Sequence, residues 1–212
     1  MSSLGRERSY RGEELVARVR GLEVCVCGAG ALGGHVVEGL VRVGFGRVRV
    51  VDFDRVEERN LAGQPYGRRD IGQLKASTLA KRIYRELGVE VGAECVRLEE
   101  GNAVAVLSGA ELVIDVFDNT ASRALVQQVA AQVGAACLHV GMAAGYAEAV
   151  WDPGYRVPEV APEGEDVCGE ALARNLGVIA AAAACERVAQ WVATGARRGW
   201  TLTLEDLRMG EW

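Results

Sequence analysis

Residues 22–33, LEVCVCGAGALG, decide the fold class because they join a strand pattern to a glycine-rich turn. The first six residues are apolar enough for a buried strand, and residues 33–43 have the periodicity of an amphipathic helix. Between a strand and a helix, the spacing G-x-G-x-x-G lets the backbone approach a phosphate at the helix N-terminus. A purely structural tight turn is the alternative. The candidate nucleotide-binding residues of this turn are Gly28, Gly30, Ala31, Leu32 and Gly33.

A second strand is predicted over residues 47–52, and its last residue is acidic. Asp52 lies 19 residues after Gly33. A dinucleotide-binding fold places at about this position the carboxylate that hydrogen-bonds a ribose hydroxyl. The turn and the acid together predict nucleotide binding, but they do not distinguish ATP from NAD.

Strand and helix patterns alternate as far as residue 140, which is typical of a Rossmann-like, doubly wound α/β fold with a mostly parallel sheet. The later patterns predict an antiparallel C-terminal extension. Its first strand, 146–151, is predicted to be an antiparallel or an edge strand. The further predicted strands are 94–98, 111–116, 136–140, 146–151 and 200–207, and the further predicted helices are 74–87, 120–133 and 172–194. Residues 1–14 are expected to form an N-terminal arm and residues 152–168 a crossover loop.

Length and composition favour one globular domain over residues 1–212, since half of the residues are hydrophobic and a quarter are charged. The longest apolar run, 176–185, is about half of what a membrane-spanning helix needs, and residues 1–14 do not resemble a secretory signal. We therefore expect a cytoplasmic protein without a membrane partner. A net charge of −5 without a basic block predicts no nucleic-acid partner.

Six cysteines, at positions 25, 27, 95, 137, 168 and 185, include no C-x-x-C pair. His35 and His139 also lack the sequence spacing of metal ligands, and we expect both to be ordinary packed or capping residues. No zinc is therefore predicted.

Several motifs after the second strand occur in the order found in a known family. VVDFDRVEERNLAGQ, residues 50–64, resembles the D-x-D…N-L-x-R-Q signature of the ThiF/MoeB/HesA family, which activates ubiquitin-like and sulfur-carrier proteins. DIGQLKA, 70–76, is similar to the segment with the family's ATP-contacting lysine, and VIDVFDNTASR, 113–123, to its Asp-Asn motif. VGMAAGYAEAV, 140–150, resembles a further family strand. The resemblance covers about residues 15–195.

The resemblance implies an ATP-dependent adenylyltransferase that uses Mg²⁺. It implies that the glycine turn holds the nucleotide and Asp52 the ribose. The residues implied at the phosphates are Asn60, Gln64 and Lys75, with Asp118 as the magnesium ligand and Asp54 and Asn119 as further nucleotide-site candidates.

Simpler interpretations of four of these positions remain open. Asp54 is equally consistent with a turn residue, and Lys75 with a solvated charge at the start of a helix. Asp118 and Asn119 are also the residue types that cap a helix N-terminus.

Four features differ from the family pattern or lack a fixed counterpart. Gly63 stands where the family signature has its arginine, so that either Arg68 or Arg69 takes its place, a partner subunit supplies the charge, or the activity is weakened. The paired zinc-binding cysteines of many members are absent. Arg8 and Arg11 are the candidates for the arginine that the family donates across its dimer. Cys168 in the crossover loop is either a covalent-adduct cysteine or a structural one.

The function implied is activation of the C-terminal carboxylate of a small ubiquitin-like or sulfur-carrier protein of the ThiS type, ending in Gly-Gly, by a homodimer. Two alternatives stay open. A degenerate, non-catalytic member acting as a binding or scaffold subunit would explain Gly63. An NAD(P)-dependent oxidoreductase would explain the glycine turn and Asp52 but gives no role to the residues from Asn60 to Lys75 or to Asp118.

Overall fold

A single mixed sheet organises the fold in the computed structural model, which describes residues 4–158 and 173–212. The eight strands identified there lie in the order β3-β2-β1-β4-β5-β6-β7-β8. They are β1 (Glu23–Cys27), β2 (Arg47–Val51), β3 (Gly92–Glu94), β4 (Leu112–Asp115), β5 (Ala136–Ala143), β6 (Tyr146–Trp151), β7 (Trp200–Thr203) and β8 (Met209–Glu211). Strands β1 to β5 pair in parallel, whereas β6, β7 and β8 extend the sheet in antiparallel fashion. The predicted fold class is therefore confirmed.

Helices cover both faces of the sheet. Side chains of successive strand residues point to opposite sides, so the central strands place buried apolar side chains on both faces. The described helices are α1 (Gly5–Arg11), α2 (Glu13–Gly21), α3 (Gly33–Val43), α4 (Lys75–Leu87), α5 (Ala103–Leu107), α6 (Thr120–Val133) and α7 (Arg174–Thr194), with short 3₁₀ helices at Glu58–Ala62 and Arg68–Asp70. Val24 and Val26 belong to the larger core with α3, α4 and α7. Cys25 and Cys27 belong to the smaller core with α5 and α6.

Helix α7 combines the length and apolar composition that a membrane-spanning segment would have. More than half of its most apolar window is buried inside the fold. It packs closely on α3, where a Cβ added to Gly39 would come within 2.7 Å of Cys185 Sγ. Burial of this kind is what a core helix requires, since a helix that is apolar on most sides must be covered on most sides.

Most predicted elements match the structure, and the following differ from it. One last strand was predicted at 200–207, but β7 ends at Thr203 and a separate strand, β8, follows a turn. The third strand was predicted at 94–98, but β3 is Gly92–Glu94, paired with β2. Leu98 lies outside the strand and packs into the smaller core. The alternative of an edge position for β6 is wrong, because β6 lies between β5 and β7. The N-terminal segment expected as an arm contains α1 and continues into α2.

Candidate functional site

The glycine turn follows β1 at the carboxyl end of the parallel strands. Gly28 has φ +117° and lies against Val116, the residue that follows β4. At Gly33 a Cβ would come within 1.9 Å of Gly28 O and 2.9 Å of Val116 Cγ2, so only glycine fits there. Gly30 differs from both, because the only atom near an added Cβ is Gln64 Nε2, 4.0 Å away. The turn is therefore tightly packed on one side and open at Gly30.

Asp52, immediately after β2, holds the backbone of this turn through its side-chain carboxylate. Its Oδ2 accepts the Ala29 N–H at 2.7 Å, and its Oδ1 accepts the Asp54 N–H at 2.8 Å. Burial raises the pKa of this carboxyl, and the two amide hydrogen bonds act against the rise. The structure thus shows Asp52 holding the backbone of two loops, while its contact with a ribose stays a prediction.

Lys75 is buried at the first position of α4. Its Nζ lies 2.9 Å from Asp54 Oδ2, and its N–H donates to Asp54 O at 2.8 Å. Only 8% of the residue is exposed, so the reading of Lys75 as a solvated charge is wrong. Asp54 keeps about half of its side chain exposed. The two residues therefore form an ion pair that fixes the lysine beside the second half of the D-x-D motif.

Tyr66 belongs to the same constellation although the sequence analysis did not select it. Its hydroxyl lies 2.7 Å from Ala29 O and 3.3 Å from Lys75 O, so it links the glycine turn to the start of α4. Burial raises the pKa of this phenol, which keeps the hydroxyl protonated as a donor. The only hint in the sequence was the position of this tyrosine, two residues after the glutamine of the family motif. That position does not indicate which residues the hydroxyl contacts.

Asn60 and Gln64 lie in and just after the first 3₁₀ helix, and they serve different ends. Asn60 Oδ1 accepts the Glu57 N–H at 2.8 Å and so caps the helix. Gln64 turns its side-chain amide toward Gly30, and its Oε1 is buried without a hydrogen-bond partner in the described structure. A buried unpaired amide oxygen is costly unless something binds it. The unpaired Oε1 of Gln64 therefore suits a hydrogen-bond donor of a ligand that lies over Gly30.

Asp118 and Asn119 follow β4. Asn119 is the N-cap of α6, and its Oδ1 accepts the Ser122 N–H at 2.8 Å. The capping interpretation is thus confirmed for Asn119. Asp118 precedes the cap and is exposed, so its carboxylate is accessible to a cation carried by a nucleotide.

The arginines considered as substitutes are placed differently. Arg68 and Arg69 are exposed in the second 3₁₀ helix. Gly63 has open space where a side chain would begin, with no atom within 4 Å.

Arg11, a candidate for the arginine donated across a dimer, is used within its own chain, where its guanidinium contacts Glu186 and Glu7, each at 2.6 Å. Cys168 lies outside the described residues.

A second polar cluster lies in the smaller core, and it changes the interpretation of His139. The imidazole is fully buried but not simply packed, because Asp115, Cys137 and Asp152 all approach its two ring nitrogens. The sequence spacing hid this group, since Asp152 reaches Cys137 only through the antiparallel register of β5 and β6.

Similar proteins with known structures share this architecture. The chain superposes on Escherichia coli MccB with ATP with a TM-score of 0.81 at 16% identity, covering all of this chain and 71% of that one. It also matches the structure entitled TcdA (CsdL), with a TM-score of 0.64 and 25% identity over 68% of this chain and 57% of that one. The likeness to MccB shows the fold.

Curated relatives are more similar to this chain in sequence. A sulfur carrier protein adenylyltransferase of Thermus thermophilus is 42% identical over 126 residues, which is 58% of this chain and 46% of the relative. A SAMP-activating enzyme E1 of Haloferax volcanii is 35% identical over 131 residues, covering 60% and 48%. The chain spans about half the length of the curated relatives it matches. The ThiF family model matches residues 5–189, and the chain therefore belongs to the ThiF family.

Proposed function

We propose that this protein binds ATP with Mg²⁺ and adenylylates the C-terminal carboxylate of a small ubiquitin-like or sulfur-carrier protein. A carboxylate oxygen would form a bond to the α-phosphorus of ATP. The bond from that phosphorus to the bridging oxygen of the β-phosphate would break. The products would be the carrier acyl-adenylate and pyrophosphate.

One observation carries this proposal: buried Lys75 is joined to the open glycine turn by a chain of hydrogen bonds, and the side-chain amide nitrogen of Gln64 lies near the same turn at Gly30. The chain runs from the Ala29 N–H through Asp52 to the Asp54 amide, and Asp54 holds Lys75 Nζ. Tyr66 closes the other side between Ala29 and Lys75. Donors at fixed positions beside a glycine turn are suited to phosphate oxygens.

The chemistry requires charge neutralisation and placement more than proton transfer. A C-terminal carboxylate is already ionised at neutral pH, so it needs no general base. Lys75, the backbone amides of the glycine turn and Mg²⁺ on Asp118 would offset the charge that develops on the phosphates. The exposure of Asp118 suits a metal ion that enters with the nucleotide.

The partner is proposed from the relatives, whose names concern sulfur carriers and SAMP. We propose a carrier that ends in Gly-Gly. We further propose a cytoplasmic homodimer. Arg11 is engaged with Glu186 of the same chain, so it is not the residue we expect to cross such a dimer.

A non-catalytic scaffold is the second candidate, and Gly63 is the observation that favours it. The family arginine is missing there, and no atom lies within 4 Å of where its side chain would start. An oxidoreductase is disfavoured because it would leave Lys75, Gln64 and Asp118 without a role.

Two measurements separate these functions. Isothermal titration with Mg-ATP and with NAD should show binding of ATP only. ATP–pyrophosphate exchange should then appear when a Gly-Gly-ending carrier is added, with the same carrier lacking its last two residues as the control. ATP binding without exchange for any such carrier would favour the scaffold, and binding of NAD alone would contradict both proposals.

A further inference from the structure

The buried cluster in the smaller core consists of Cys137, His139 and Asp152, and we propose that it binds one zinc-type divalent metal ion. The inference concerns a site separate from the nucleotide residues, and it does not depend on the proposed function. It also departs from the sequence expectation that no zinc is bound.

Strand geometry brings the three ligand types to one point. Cys137 and His139 are two residues apart on β5 and therefore face the same side of the sheet. Asp152 follows β6, and its N–H donates to Cys137 O at 3.1 Å. Cys137 Sγ and Asp152 Oδ2 each lie 3.3 Å from His139 Nε2, and all three ligand atoms lie within 4.8 Å of one another.

These separations are close to those of a tetrahedral zinc site. With zinc bonds of about 2.0 to 2.3 Å, neighbouring ligand atoms are about 3.3 to 3.7 Å apart. Cys137 and His139 are buried, while Asp152 keeps about a fifth of its side chain exposed. Three protein ligands with one partly open side leave a position for water, and a thiolate among them favours zinc over magnesium.

Two neighbouring side chains, Asp115 and Gln127, fix the orientation of His139 and Asp152. His139 Nδ1 lies 2.8 Å from Asp115 Oδ2, and Asp115 is fully buried. A carboxylate on one ring nitrogen is the usual support of a metal-binding histidine, because it places the hydrogen there and leaves the other nitrogen free to coordinate. Gln127 donates to Asp152 Oδ1 at 2.7 Å and so directs Oδ2 to the cluster.

The same arrangement creates an electrostatic requirement. With its hydrogen on Nδ1, His139 presents the lone pair of Nε2 to a carboxylate oxygen of Asp152. Two lone pairs at 3.3 Å repel. The repulsion is relieved by a proton on Nε2, by the Cys137 thiol hydrogen donated to Nε2, or by a metal ion. A single hydrogen satisfies mainly one pair of atoms, whereas a metal ion satisfies Nε2, the Asp152 oxygen and the Cys137 sulfur together. We therefore favour the metal ion.

The test uses the full chain, stripped with a chelator and then titrated with Zn²⁺ alone and, in parallel, with Co²⁺. We expect one ion per chain and a thiolate-to-cobalt charge-transfer band in the absorption spectrum. Asp152→Asn should weaken Zn²⁺ binding at least about tenfold, because it removes the charge while retaining an acceptor for Gln127. Cys137→Ala should abolish the charge-transfer band.

Two variants serve as matched controls. Cys185→Ala removes another buried thiol, and Asp118→Asn removes the proposed magnesium ligand; neither should change the zinc stoichiometry. Circular dichroism of each metal-free variant checks that it folds. Absence of stoichiometric zinc binding by the wild type would overturn the proposal in favour of a hydrogen on His139 or on the Cys137 thiol. A cobalt thiolate band that survives Cys137→Ala, or disappears in Cys185→Ala, would overturn it as well.

Discussion

Lys75 Nζ lies 2.9 Å from Asp54 Oδ2, with the lysine side chain largely buried and the aspartate side chain about half exposed. The difference in exposure matters, because a ligand can reach the exposed carboxylate of Asp54 and take its place beside the buried Lys75 ammonium. A phosphate entering over Gly30 would compete with Asp54 for an ammonium group that is already fixed in position. The ion pair is therefore suited to preorganising a cation in the resting protein.

Lys75→Ala should lower ATP–pyrophosphate exchange by about 100-fold, the scale of losing one preorganised charge contact. The fold should persist, because the partner left behind is the half-exposed Asp54. Lys81→Ala, at an exposed position of the same helix, is the control. A loss smaller than about threefold relative to that control would remove Lys75 from the site.

Asp118→Ala should abolish exchange while leaving the thermal unfolding temperature almost unchanged. The residue is exposed, and Asn119 rather than Asp118 caps α6. Asp206→Ala changes another exposed aspartate, in the turn between β7 and β8, and should have no effect on exchange. Normal exchange by Asp118→Ala over a Mg²⁺ titration would exclude it as the magnesium ligand.

Gly30→Ala and Gly33→Ala separate binding from folding within one turn. A methyl group at Gly33 meets Gly28 O at 1.9 Å, so the variant should lose about 3 kcal/mol or more of unfolding free energy. At Gly30 the same methyl group meets only Gln64 Nε2 at 4.0 Å, so stability should be retained and ATP affinity reduced. Denaturant unfolding and ATP titration measure the two effects. Unchanged ATP affinity in Gly30→Ala would place the nucleotide elsewhere.

Gly63→Arg should raise exchange or ATP affinity if position 63 faces the phosphates, since no atom lies within 4 Å of a new Cβ. A charge-assisted contact of good geometry contributes about 1.5 to 3 kcal/mol. If Arg68 or Arg69 has taken over the role, Gly63→Arg should be neutral or harmful, and Arg68→Ala or Arg69→Ala should lose activity. Exchange assays on all three variants decide between these cases. No difference among them, together with an inactive wild type, would support the scaffold.

The contact between Arg11 and Glu186 predicts a pH-dependent contribution to stability. A hydrogen bond from Arg11 lowers the pKa of Glu186 below its usual 4.5. A lowered acid pKa stabilises the fold above the unfolded value, and this stabilisation is lost as the pH falls through the folded value. Glu186→Gln should therefore reduce the unfolding temperature at pH 7 but not well below pH 4.5. Exposed Glu90→Gln is the control; an equal reduction by Glu186→Gln at both pH values would contradict the prediction.

Sequence reasoning succeeded for helices whose ends are marked by local chemistry. Helices α3 and α6 have the predicted bounds, and α4 ends at Leu87, followed by Gly88 as a C-cap in the left-handed conformation. Sequence reasoning failed where strand pairing, rather than an apolar sequence pattern, defines the element. All three residues of β3 are exposed, so no apolar pattern marks them, and only the register with β2 places that edge strand. Helix α5 is too short for a periodic signal.

The candidate site shows the same division. Family motifs selected Gln64 and Lys75, and the structure brings both toward the glycine turn. They could not indicate that Asn60 caps a 3₁₀ helix or that Tyr66 links two loops, because those contacts depend on the path of the intervening chain. The group around His139 depends on three strands and is not visible in any single segment.

The contact of Gly28 and Gly33 with Val116 has a consequence for how the protein folds. Val116 follows β4, and β4 joins β1 through pairs such as Val24 with Leu112, which are far apart along the chain. Such distant pairing is slow to form because a long loop must first be closed. A nascent or truncated chain ending near residue 100 would contain the whole glycine motif and Lys75. It would lack β4 and Val116, against which the turn packs. ATP binding should therefore arise late in folding and report that the central sheet is complete.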